Sequence, residues 1–147
     1  ALKILVEVHP ECVPAEQAIR YLDDPNESVR AQGLRWISGS RDSKYLPKLI
    51  HWFRRKQKNM SFQERRKAIA TIAEVGQEQV LPVLKEWIEQ KSRFSLRSSD
   101  RDNRLCAIFA LGCLEFPAAK EYLAHLIETH NEEIRLAARQ AMREPRA

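Results

Sequence analysis

The sequence predicts an all-α fold of stacked, antiparallel helix pairs, and three observations predict it. Glycine is scarce, with 4 in 147 residues, and Val, Thr and Tyr are sparse, so the chain is poor material for a sheet. Apolar residues recur at i, i+3, i+4 and i+7 in block after block, the period of a helix with one buried face. The blocks also resemble one another along the chain, as expected where each helix pair needs neighbours to bury its apolar side. Hydrophobic residues make up 44% of the chain, enough for a core. No apolar run approaches the roughly 18 residues that span a bilayer, and no signal peptide is visible.

The elements follow in order. Leu2, Ile4, Leu5, Val6 and Val8 predict a helix over 2–9, and the block from Gln17 to Leu22 one over 15–23. Asp24-Pro25-Asn26 is a helix-start signal and opens 27–38, with Gly39 placed to stop it. Leu46, Leu49, Ile50 and Phe53 share a face of a helix over 44–58, and Pro47 falls early, where a missing N–H costs little. A helix over 62–75 is stopped at Gly76. Leu81, Leu84 and Ile88 carry the next over 78–92, with Pro82 again early. Helices over 102–115 and 118–129 follow, and Asn131-Glu132-Glu133 starts the last, 132–143, with acids near its positive end. Short loops make neighbours antiparallel. The chain starts at Ala1 inside an apolar stretch, without an initiator Met, from which a piece of a longer protein is expected.

The repetition is specific. Val29-Arg30-Ala31-Gln32-Gly33-Leu34, Glu64-Arg65-Arg66-Lys67-Ala68-Ile69, Asn103-Arg104-Leu105-Cys106-Ala107-Ile108 and Ile134-Arg135-Leu136-Ala137-Ala138-Arg139 share an arginine, then a small residue, then helical apolar spacing. Their arginines recur every 31 to 39 residues. Tyr45 to Phe53 and Val80 to Ile88 form a second matching pair 35 residues apart, sharing Leu, Pro, Leu and Trp; Ala119 to Ile127 is a weaker copy. This pattern resembles the HEAT-repeat family, including its shorter bacterial HEAT-like and PBS-lyase-type variants. The resemblance rests on Asp24, Val29-Arg30, the small residue four positions after Val29, and the Leu-Pro-x-Leu opening of the second helix. It covers nearly the whole chain and implies a single domain, 1–147: a right-handed α-solenoid of about four antiparallel helix pairs that binds other macromolecules. It also implies structural roles between neighbouring repeats for Asp24, Arg30, Arg65, Arg104 and Arg135. Three departures stand out: uneven intervals, Gly33 in place of alanine, and Glu121 where Pro47 and Pro82 find no counterpart.

Nothing in the chain reads as an enzyme. There is no glycine-rich phosphate loop, H-E-x-x-H, nucleophile elbow or clustered Cys/His set, so neither catalysis, cofactor, metal nor small-molecule substrate is expected. His9, His51, His125 and His130 are scattered, with His51 and His125 at equivalent places in their helices. Asp23/Asp24 and Glu132/Glu133 sit at helix boundaries, where acids cap. Cys12, Cys106 and Cys113 have no metal spacing and read as buried free thiols, which points to the cytoplasm.

Charge is the strongest asymmetry. The net charge is +5, yet residues 41–67 alone carry +8. Arg54, Arg55, Lys56 and Lys58 lie before the turn at Asn59–Phe62, and Arg65, Arg66 and Lys67 after it, so both clusters are expected on one rim. The candidate binding residues are Lys48, Trp52, Arg54, Arg55, Lys58, Arg65, Arg66 and Lys67. Trp52 and Trp87, equivalent by position, are read either as packing between repeats or as aromatic ridges for a peptide or for bases. A protein partner with an acidic surface is expected, against nucleic acid, anionic lipid headgroups or bare solvation. A DNA-glycosylase-like groove fits less well, because Glu86, Glu89, Glu121 and Glu128 interrupt the positive charge a duplex would follow. The chain could also be the cytosolic regulatory solenoid of a larger membrane protein. The stretch 92–101 reads as a long, Arg-flanked loop, where phosphate on Ser95, Ser98 or Ser99 would face the basic rim.

Overall fold

The computed structural model describes residues 15–90 and 98–143, and these are helical, without a strand. The α-helices run Ala15–Tyr21 (α1), Glu27–Ser40 (α2), Leu46–Lys56 (α3), Phe62–Gly76 (α4), Leu81–Glu89 (α5), Ser98–Gly112 (α6), Pro117–Ile127 (α7) and Glu132–Arg143 (α8). Short 3-10 turns at Ser43–Tyr45, Gln57–Asn59 and Gln77–Val80 adjoin α3, α4 and α5. The expected helix over 2–9, His9, Cys12 and Ser95 lie outside the described residues.

Local chemistry explains most boundaries. The Asn26 side chain accepts the Ser28 N–H at 2.8 Å and starts α2, with Glu27 in the first turn. Asp42 does the same for the turn leading into α3, accepting from the Lys44 N–H at 3.0 Å. Pro47, Pro82 and Pro117 all occupy first-turn positions. The helix expected to stop at Gly76 does end there, whereas α2 runs past Gly39 to Ser40; both glycines have ordinary φ, and the left-handed residues beyond them are Arg41 (φ 52°) and Gln77 (φ 48°). The helix expected from 102 starts at Ser98, so Ser98 and Ser99 open α6 instead of lying in a loop. The cysteines diverge as well: Cys106 is buried, whereas Cys113 falls past the end of α6 and is exposed.

The second helices are more regular than their sequences suggest. Pro117, not Glu121, is the counterpart of Pro47 and Pro82, and the three prolines stand 35 residues apart. In that register Trp52, Trp87 and Tyr122 coincide, and all three are buried. His51 then aligns with Glu86 and Glu121, and His125 aligns with Arg55, so the two histidines are not equivalent.

The chain divides into two compact units, Ala1–Val75 and Gly76–Ala147. Within the first, Glu27 meets Ser61 at 3.3 Å, Arg30 meets Glu64, and Ser38 meets Glu74. Start meets start and end meets end, so α2 and α4 run side by side in the same direction. The helices α1 and α3 do likewise, with the Trp52 indole N–H on the Leu22 carbonyl at 2.7 Å and Arg55 on Asp23 at 2.9 Å. In the second unit, Arg101 near the start of α6 pairs with Glu133 of α8, and Gly112 at its end faces Ala141. These helices are parallel too. Helices two apart therefore stack within each unit, and fully buried Ile37, Leu49, Ile69, Ile72, Leu84, Ile88 and Ile108 fill the space between.

Two glycines, Gly33 and Gly112, lie at close approaches in that packing, and a third, Gly39, does not. At Gly33, where the other segments carry alanine, a Cβ would stand 3.1 Å from the Ala18 carbonyl oxygen and 3.2 Å from the Tyr21 Cβ. The close approach of α1 to α2 accounts for the departure from alanine. At Gly112 a Cβ would stand 2.9 Å from both the Cβ and the carbonyl oxygen of Ala141. Gly39 faces open space. We expect Gly112→Val to lower stability by about 1–3 kcal/mol through overpacking, and Gly39→Ala to raise it by about 0.5–1 kcal/mol through helix propensity and chain entropy. Urea unfolding of the two variants checks both signs.

Candidate functional site

Arg30, Arg65 and Arg135 each stand fourth in their helix and Arg104 seventh, and in each case the side chain reaches back to a carbonyl before that helix begins. Arg30 donates from Nη1 to the carbonyls of Asp24 (2.8 Å) and Pro25 (2.9 Å). Arg65 donates to the Gln57 carbonyl just past α3. Arg104 donates to Ile88 (3.0 Å) and Gln90 (2.9 Å) at the end of α5, and Arg135 to Thr129 (3.4 Å) after α7. Helix ends leave carbonyls without intrahelical donors, and a planar guanidinium supplies up to five. Arg30 also grips Glu64 through Nε (2.6 Å) and Nη2 (3.1 Å), a bidentate pair whose carboxylate is 5% exposed. That bond is the main cause raising the Arg30 pKa above the ordinary arginine value, against an opposing effect of burial. Asp24 contributes its backbone carbonyl, and its carboxylate accepts the Asn26 N–H at 2.8 Å. The carboxylate that Arg30 grips belongs to Glu64, not to Asp24.

These bonds sort the sequence-derived candidates. Arg65 and Trp52 are buried, at 2% and 3% exposure, and both are committed to backbone carbonyls. Neither offers a partner an accessible surface. Lys48, Arg54, Arg55, Lys58, Arg66 and Lys67 are exposed. Arg54, Arg55 and Lys56 occupy the last turn of α3, where cations favour the negative helix end. Arg66 and Lys67 lie near the start of α4, where the helix dipole opposes them, with Glu64 as the acid of that first turn. Lys67 lines a small hollow of about 140 Å³ with Glu27 and Glu64, so its charge is balanced nearby.

A larger hollow, about 280 Å³, lies between α1 and α3. Ile19, Pro47 and Trp52 supply its apolar lining, and Lys48, His51 and Arg55 its basic one. Asp23 reaches Arg55 from the α1 side. Both partners of that pair are about half exposed, so it contributes little to stability. Lys48, His51 and Arg55 are spaced i, i+3, i+7, one helical stripe beside the buried Leu49 and Phe53. That spacing is legible in the sequence. The role of Asp23 and Ile19 is not, because it depends on how α1 packs against α3.

In the second unit the equivalent positions carry different chemistry. Val83, Glu86 and Gln90 replace Lys48, His51 and Arg55. Lys85 Nζ stands 4.8 Å above the Tyr122 ring, which also lies against His125 at 6.3 Å between centroids. Burial, with the charge of Glu89 added, holds the Tyr122 phenol well above the ordinary tyrosine range.

Comparison of the chain with family models, with curated proteins and with solved structures finds no match in any of the three. No helix among the described residues is long and apolar enough to cross a membrane. The bond pattern orders the repeat arginines by their structural worth. We expect Arg30→Met and Arg104→Met each to cost about 1.5–3 kcal/mol, and Arg135→Met, with one long bond, about 1 kcal/mol or less. Chemical denaturation of the three variants gives the ranking directly.

Proposed function

We propose that the chain is a non-catalytic interaction module of HEAT-like solenoid architecture, binding an acidic protein surface through the exposed basic residues of α3 and the start of α4. The architectural part draws support from two features: the parallel stacking of helices two apart within each unit, and the arginine-to-carbonyl bond repeated at Arg30, Arg65, Arg104 and Arg135. Stacked helix pairs are the way such repeats bury their apolar faces.

One observation carries the functional part. Six cations selected from the sequence, Lys48, Arg54, Arg55, Lys58, Arg66 and Lys67, are exposed within 20 residues of one another, whereas the buried arginines serve the fold. Concentrated exposed charge on preorganised helices steers and orients an oppositely charged protein at little ordering cost. Single-stranded nucleic acid is the weaker reading, because Trp52 and Trp87 are buried and present no aromatic platform for bases.

The test compares the chain with its Arg54→Glu/Arg55→Glu/Arg66→Glu variant in affinity capture read by quantitative mass spectrometry. Proteins captured by the wild type are expected to be acidic and to be lost at least tenfold with the variant. Equal capture by both forms overturns the assignment. Titration with duplex DNA and RNA at low salt is expected to show no binding, and a steeply salt-dependent affinity there overturns it in favour of phosphate recognition.

A further inference from the structure

We propose that the hollow between α1 and α3 is a peptide site taking one apolar side chain of the partner with an acidic residue beside it, and that Asp23 occupies Arg55 in place of the partner's carboxylate until the partner binds. The inference deepens the proposed function and rests on it: it names the segment of an acidic partner that α3 would select.

Size argues for a side chain. The hollow measures about 280 Å³, just under the roughly 300–1,000 Å³ typical of small-molecule pockets. Lining argues for a mixed ligand. Ile19 and Pro47 offer apolar surface, and beside them the buried Trp52 indole is held in place by its bond to the Leu22 carbonyl at 2.7 Å. That bond preorganises the lining, and the ring, 3% exposed, presents no open face on which a nucleobase could stack. Lys48, His51 and Arg55 then lie on the same stripe, within reach of a carboxylate next to the inserted side chain.

The fold does not require this charge. At the same register the second unit has Val83, Glu86 and Gln90, so the basic stripe belongs to α3 alone among the aligned second helices. Nor does the fold require the Arg55–Asp23 pair, whose members are about half exposed. Exchanging Asp23 for a ligand carboxylate keeps the guanidinium paired and costs little. Asp23 is therefore a competitor that weakens binding while excluding ligands that lack an acid.

The experiment pans a random dodecapeptide display library against the whole chain, then measures Kd for the selected peptides, with circular dichroism confirming that each variant is folded. Selected peptides are expected to share an aromatic or aliphatic residue with Asp or Glu within two positions. Lys48→Glu/Arg55→Glu should weaken them at least tenfold, Lys120→Glu on α7, an exposed cation outside the proposed surface, should change them less than twofold, and Asp23→Asn should tighten them severalfold. Undiminished affinity for the Lys48→Glu/Arg55→Glu variant, or weaker binding to Asp23→Asn, overturns the hollow as the site. Acidic peptides lost with Arg66→Glu but not with the Lys48/Arg55 change would overturn this inference and leave the broader reading standing. Selection of peptides without acidic residues overturns both.

Discussion

The bond from an arginine to the carbonyls at the end of the preceding helix is the constraint on which the rest of this structure depends. A helix ending inside a packed stack exposes carbonyls that water cannot easily reach, and leaving them unpaired is costly. Arg30, Arg65, Arg104 and Arg135 meet that need from the first helix of each pair, two of them at 8% exposure or less. The same bond ties the end of one helix to the beginning of the next, which sets where the chain turns. Arg30 adds Glu64 of the neighbouring first helix, so one side chain joins a turn within a pair to the stacking between pairs. In α6 these two tasks are divided: Arg104 holds the carbonyls, while Arg101, one turn earlier, holds Glu133.

That constraint also determines what the surface has to offer. In the cationic segment 41–67 Arg65 is consumed by the backbone, whereas Lys48, Arg54, Arg55, Lys58, Arg66 and Lys67 are exposed. The aromatic residues show the same division. Trp52, Trp87 and Tyr122 share one register, and each is buried within its own unit. Trp36 is buried as well, edge-on to Tyr45 with ring centroids 5.6 Å apart. What remains near Trp52 is a shallow apolar hollow edged with basic side chains, a shape suited to a partner with both kinds of group.

Much of the helical layout was legible because its signals are local. Asn26, Asn131 and the early prolines act on the turn they begin, and the apolar spacing around Leu49 and Phe53 or Leu84 and Ile88 has one reading. The errors have physical causes. Gly39 reads as a stop because glycine readily adopts positive φ, but α2 runs past it to Ser40 and the residue with positive φ is Arg41. The start of α6 was missed because Ser98-Ser99-Asp100 reads as loop when polarity alone is weighed, although the same residues suit a first turn. Pro117 was overlooked because the links flanking α6 differ in length from the others, which hides a 35-residue period behind intervals of 39 and 31.

The sequence by itself determined the class of fold, the repetition and the concentration of positive charge around residues 41–67, since each is a matter of residue type and spacing along the chain. Only the tertiary structure decided which charges and aromatics are available. Arg65 and Arg66 are neighbours of the same chemistry, yet one is 2% exposed against a carbonyl while the other faces solvent. Trp52 was a candidate for contact until its N–H was found on Leu22. Asp23, a capping acid by sequence, became a partner of Arg55 across the hollow once α1 and α3 were set side by side. Helical periodicity specifies a face but not what lies against it, and burial, pairing and access all depend on what lies against it.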